Sequence, residues 1–192
     1  MKPISNWNEV QPIMGGESQA LPAGGYVCRV TAVKEDVSKA SNKEMLVVNF
    51  DIAEGDYKDY YMNKYKNSTP KNDMEPIKWK GVYYIVLEGE NWEGRFKGFI
   101  TALEQSNSGF QWNTCNWDTN RLVGLLFGGL FREEEFEGDR GVGKTTKLCW
   151  VRSAQEIREG NFEVPAPKPL STTNAPFIPG ENNQVFDDDL PF

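Results

Sequence analysis

The chain has 192 residues, 39% hydrophobic and 26% charged, with a net charge of −7. That is one domain's length with room for a tail, enough to bury a core without metal or disulfide staples, and no apolar run nears the roughly 18 residues that span a bilayer. There are no histidines, which excludes Ser-His-Asp and Cys-His catalysis and imidazole-based zinc sites; Cys28, Cys115 and Cys149 form no CxxC pair. The first residues, Met1 to Trp7, lack an apolar signal core. The expectation is a cytoplasmic protein with reduced thiols.

Taken in chain order, Leu21-Pro22-Ala23-Gly24-Gly25 reads as a turn. Tyr26 to Val33 then alternates as a strand, with Tyr26, Cys28, Val30 and Ala32 on one face. Ser38 to Lys43 is a polar loop, and Met45 to Ile52 a second strand whose Leu46, Val48, Phe50 and Ile52 face a core. Trp79 to Leu87 is β-branched and aromatic, the composition of a third strand. Trp92, Phe96, Phe99, Ile100 and Leu103 lie on one helical face, with Asn91 placed to cap the start and Asn107 to Gly109 to end it. Leu122 to Glu135 and Thr146 to Val151 read as two strands of a long hairpin around a glycine-rich turn. Ser153-Ala154-Gln155-Glu156 is a capping-box pattern for a short helix ending before Gly160. The predicted fold is mainly β with one or two helices, an OB-fold-like five-stranded barrel with a helix at one end.

Composition shifts near residue 164, where Val164-Pro165-Ala166-Pro167-Lys168-Pro169 opens a stretch rich in Ser, Thr, Asn, Pro and Gly. Such a segment buries too little apolar surface to offset the entropy of ordering it. The predicted organisation is an N-terminal arm at 1–19, a domain at 20–164, a disordered linker at 165–184 and a tip at 185–192. Four acids against Lys168 give everything past residue 164 a charge of −3 and leave the body at −4.

The sharpest motif is the end of the chain, Asp187-Asp188-Asp189-Leu190-Pro191-Phe192. Aspartates are drawn to a basic partner surface, Phe192 can fill a pocket, its terminal carboxylate can be clamped by Arg or Lys, and Pro191 restricts the approach. An acidic solubilising tail would not end on three apolar residues. This tip resembles that of bacterial single-stranded DNA-binding proteins, which end in Asp-Asp-Asp, an aliphatic residue, Pro and Phe. On Leu21 to Tyr26 and Met45 to Ile52 the body is similar to single-stranded DNA-binding proteins of phages and mobile elements of Gram-positive hosts. The resemblance implies an OB domain that coats single strands and a tip that recruits replication, recombination and repair enzymes, with a homo-oligomer one possibility.

An aromatic and basic stretch fits the same activity: Tyr57, Lys58, Tyr60, Tyr61, Lys64, Tyr65, Lys66, Lys71, Lys78, Trp79 and Lys80. Bases stack on aromatic faces, at roughly 1–3 kcal/mol each, while lysines track phosphates. Packing in the core is the competing role for any one tyrosine. Lys39 and Lys43 in the first loop, and Arg140, Lys144 and Lys147 with Trp150 on the hairpin, extend the candidate surface.

Gly138-Asp139-Arg140-Gly141-Val142-Gly143-Lys144-Thr145 matches the phosphate-binding pattern GxxxxGK[ST]. That loop needs an apolar strand before it and a helix after it. Here Arg132-Glu133-Glu134-Glu135-Phe136-Glu137 precedes and strand-like Lys147 to Val151 follows. Carboxylates at Glu133 to Glu135, or at Asp51, Glu54 and Asp56, could be imagined as nuclease metal ligands, but solvated turns and edge strands account for them more simply. The reading is a non-enzymatic single-stranded DNA-binding protein with no cofactor and no metal. Its alternatives are a nucleotide hydrolase using Gly138 to Thr145, and a replication adaptor that does not itself bind DNA.

Overall fold

The computed structural model describes residues 20–39, 41–68, 76–138 and 141–170. The arm at 1–19, Lys71, Arg140, most of the linker and the whole tip lie outside the described residues. The fold is mainly β. Five antiparallel strands, β1 (Gly24–Val37), β2 (Glu44–Ile52), β3 (Val82–Val86), β4 (Leu126–Gly138) and β5 (Gly141–Arg152), lie in the order β3-β2-β1-β4-β5. Three helices accompany them: α1 (Tyr60–Lys66), α2 (Trp92–Ser106) and α3 (Ala154–Glu159). No ladder joins β3 to β5 among the described residues, so the sheet is open. No helix is long and apolar enough to cross a membrane.

The central strands explain the pattern. On β2, Leu46, Val48, Phe50 and Ile52 are buried as the alternation requires. Met45, Val47 and Asp51 on the other face are buried too. On β1, Cys28 and Val30 reach the core, but Ala32 is exposed. A register shift between Val30 and Ala32 switches the face, and Val33 packs on the core instead. Cys28 sits in complete burial, which pushes its thiol well above its ordinary range.

Helix α2 buries Phe99, Ile100, Ala102 and Leu103 against the sheet. Asn91 stands at its start but makes no side-chain cap; it supplies a left-handed backbone, φ 60°, for the chain's entry. Asn107 ends the helix by a different device. Its amide donates to Leu103 O and Leu126 O, and its oxygen accepts from Leu126 N, tying the end of α2 to the start of β4. Helix α3 carries the predicted capping box: Ser153 Oγ accepts from Glu156 N, and the Glu156 carboxylate accepts from Ser153 N.

The β4–β5 hairpin is longer than its apolar core suggests, closing at the pair Gly138 and Gly141. Leu122 ends a 3-10 turn, Thr119–Leu122, before β4 begins. After α3 the chain folds back. Phe162 lies over Gly25, and Lys168 bridges β4 in parallel fashion, donating to Glu133 O and accepting from Glu135 N. The chain from 165 to 170 is thus held along the hairpin.

Two glycines give opposite expectations. A Cβ on Gly128 would lie 2.5 Å from both Ser153 O and Ile157, so Gly128→Ala overpacks the α3 contact. It should destabilise by about 1–3 kcal/mol in urea unfolding. A Cβ on Gly98, within α2, meets nothing within 4 Å. Gly98→Ala should therefore leave the fold intact and stabilise it, by up to about 1 kcal/mol.

Candidate nucleic-acid interface

The aromatic and basic stretch does not form one surface. Its centre is the helix α1, which the strand-like composition conceals. Tyr61 is only 6% exposed and sits edge-on to Phe50, so it is a core residue and not a stacking platform. Burial pushes its phenol well up. Tyr57 and Tyr60 are partly buried against the same core. Tyr60 Oη accepts from Leu21 N, and Lys64 Nζ lies 5.3 Å from the Tyr60 ring centre. Tyr26, edge-on to both Tyr57 and Phe131, has its phenol pushed up to about 12, chiefly by burial.

What remains is a pair, of which Tyr65 is exposed and Trp79 is partly buried against the same core. Tyr65 is 40% exposed and its ring lies 5.8 Å from that of Trp79, tilted by 51°. The Trp79 indole N–H donates to Phe50 O at 3.1 Å and Gly81 O at 3.0 Å, which fixes the ring. Gly81 makes this possible: a Cβ there would lie 2.2 Å from Phe50 O. Lys64 and Lys66, beside Tyr65 in sequence, and Lys78 and Lys80, beside Trp79, are exposed. None of the ion pairs among the described residues involves them.

The helix that carries Tyr65 is held by Asp51. This carboxylate is 6% exposed and accepts from Ile52 N, Tyr61 N and Met62 N at 2.8–2.9 Å. Asp59, the residue before α1, has a left-handed backbone and makes no cap bond, so Asp51 satisfies the first turn from another strand. Glu54 is taken as well, in a two-bonded pair with Arg158, which holds its carboxyl below the ordinary range. Asp51 is therefore not the solvated turn carboxylate that the sequence suggests but a buried helix anchor, and Glu54 is one half of an ion pair. No group of acids, cysteines or histidines among the described residues is arranged to hold a metal.

The hairpin contributes less charge than its sequence suggests. Lys144 pairs with Glu133 at 2.7 Å and Lys147 with Glu134 at 3.4 Å. Over the described outer arm, Arg132, Lys144 and Lys147 face four glutamates, so these cations are already matched. Gly143, Lys144 and Thr145 continue as strand, Lys144 standing opposite Glu135, and no helix follows them directly. The arm does adjoin α1: Leu21, which donates to Tyr60, accepts from Thr146 Oγ1. Trp150 is 43% exposed on β5. Lys39 and Lys43 are exposed in the β1–β2 turn, at the opposite end of β2 from Trp79, roughly 25 Å of strand away.

One exposed aromatic escapes the sequence reading. Trp117 is 74% exposed, stacked on Phe96 at 6.4 Å and edge-on to Trp112, on consecutive left-handed residues Asn116 and Trp117. No protein-family model matches the chain, and no curated protein registers as a match.

Two measurements check this geometry. Asp51→Ala leaves two α1 N–H groups without a buried acceptor and should destabilise by about 2 kcal/mol or more in urea unfolding, Asp51→Asn by less. Cys28 and Cys115 are buried, and burial raises Cys149 to about 11. At pH 8 the Cys149 thiolate is then only about one part in a thousand. Thiol reagents should label the native protein slowly, and all three cysteines quickly in denaturant.

Proposed function

We propose that this chain is a non-enzymatic single-stranded DNA-binding protein, built on an OB-type domain and carrying a partner-recruiting tip at Asp187-Asp188-Asp189-Leu190-Pro191-Phe192. The observation that carries the reading is the Tyr65–Trp79 pair, held by Asp51 and Gly81 and flanked in sequence by four exposed lysines in no ion pair among the described residues. A ring held at a fixed angle beside ammonium groups bound to no carboxylate among the described residues suits stacked bases and their phosphates. Topology supports it: β1 pairs with both β2 and β4, and α2 lies between β3 and β4 in sequence, the arrangement of a partly open five-stranded OB barrel. The body's net negative charge does not oppose this, because the field near α1 is local. Against a nucleotide hydrolase, Lys144 and Thr145 lie in a ladder and not at a helix start. A cytoplasmic setting in a bacterial or phage-infected cell, with replication, recombination or repair enzymes as partners of the tip, completes the proposal.

Quenching of tryptophan fluorescence by oligo(dT) tests it. Affinity should fall steeply with salt as phosphates displace counterions. Replacing Lys64 and Lys66 by Ala should flatten that slope, whereas Tyr65→Ala or Trp79→Ala should weaken binding about tenfold with the slope kept. An absence of quenching and of binding would leave only the adaptor reading. Removing residues 185–192 should raise DNA affinity slightly at low salt, since a tethered acid run competes for the same lysines, and salt should erase the difference. Loss of DNA binding on that truncation would overturn the division of labour between body and tip. Deleting Phe192 alone should abolish capture of the partner enzymes while leaving oligo(dT) affinity intact.

A further inference from the structure

The open side of the sheet holds a groove of about 550 Å³ between α2 and the edge strands β3 and β5. Its walls are Tyr83 on β3 and Trp150 and Arg152 on β5; Lys97 adds a second cation from α2. Its floor is partly bare helix, because a Cβ on Gly94 or Gly98 would meet nothing within 4 Å. Glu156, the acid in the lining, is held by the backbone N–H and hydroxyl of Ser153. Lys97 and Arg152 enter no ion pair among the described residues, so the groove keeps a positive excess.

The groove and the Tyr65–Trp79 pair are joined through the chain itself. From Trp79 to Tyr83 it runs four residues, at most roughly 13 Å, entering β3 at Val82, a strand whose outer edge bears no partner strand among the described residues. An elongated anion carrying planar rings can follow that edge from the Tyr65–Trp79 pair toward the groove lined by Tyr83 and Trp150. We infer that the groove is a second contact for the same nucleic-acid strand, taking a base against Trp150 over the glycine floor of α2 and its phosphates on Lys97 and Arg152. This rests on the single-stranded DNA-binding reading and extends it. The unclosed side of the sheet becomes part of the binding path, and the site spans more nucleotides than the α1 patch alone covers.

Gly98→Leu is the discriminating variant, since it fills the groove from a position with open space and favours the helix. Affinity for an oligo(dT) of about twenty nucleotides should fall roughly tenfold, the size of one lost base–aromatic stack. Affinity for one of about four nucleotides, which the α1 patch can hold alone, should stay within about twofold. Trp150→Ala should reproduce the loss on the long oligonucleotide, and Lys97→Ala with Arg152→Ala should lower its salt slope by about 1.4. Thermal unfolding of each variant separates a filled groove from a damaged fold. If the groove variants bind both lengths as the wild type does while Trp79→Ala does not, this inference falls and the function stands. If the wild type binds neither length, both fall. Equal loss on both lengths, or a change in sedimentation without a change in affinity, overturns the second contact; the latter assigns the groove to contacts between copies.

Discussion

A buried carboxylate at the end of β2 positions the surface on which the functional reading depends. Asp51 lies within the sheet and accepts hydrogen bonds from the first turn of α1, a helix whose own preceding residue offers no cap. A buried anion is tolerable only where donors replace its water, and three backbone N–H groups do so here. The same bonds fix the direction in which seven residues of helix leave the sheet. Tyr65 therefore faces Trp79, while Tyr61, one turn earlier, is locked edge-on to Phe50. Gly81 performs the matching service from just before β3, letting its segment pass so close to Phe50 that the Trp79 indole can reach two carbonyls.

Charge on this molecule is informative by its pairing more than by its amount. Lysines on the hairpin and lysines on α1 look alike in sequence, yet among the described residues the former are paired with glutamates and the latter are not. A cation already bonded to a carboxylate must exchange that partner before it can hold a phosphate, and the net gain is small at an exposed site. An unpaired ammonium releases only water and counterions. On the proposed reading the α1 lysines are thus the ones left to meet phosphates, although the hairpin lysines occupy the motif that draws the eye.

Much of the scaffold was legible in the residues. The core face of β2, the buried stripe of α2 and the capping box of α3 follow directly from period two, period 3.6 and a Ser-x-x-Glu spacing. Three things were not. The bulge after Val30, which exposes Ala32, depends on how β1 must bend between β2 and β4. Helix α1 was masked by tyrosines, whose strand propensity outweighs their spacing; yet Tyr57, Tyr60, Tyr61 and Tyr65 fall at 0, +3, +4 and +8, the one local sign of a helical face. The third is the partition of those tyrosines between core and surface. It is decided by Phe50, Trp79 and Asp51, each brought in from elsewhere in the chain, so no local pattern could have separated Tyr61 from Tyr65.

Lys168 has a mechanical consequence. Its parallel bridge to Glu134, with Leu170 N donating to the Glu135 carboxylate, pins the chain to the outer arm of the hairpin. The remaining 22 residues begin from that point and not from the end of α3. A chain of that length reaches at most about 75 Å in any conformation. On the proposed reading, a partner holding Phe192 is therefore leashed within that radius of the point where Lys168 meets the hairpin. Unpinning Lys168 would lengthen the leash and move its post toward α3.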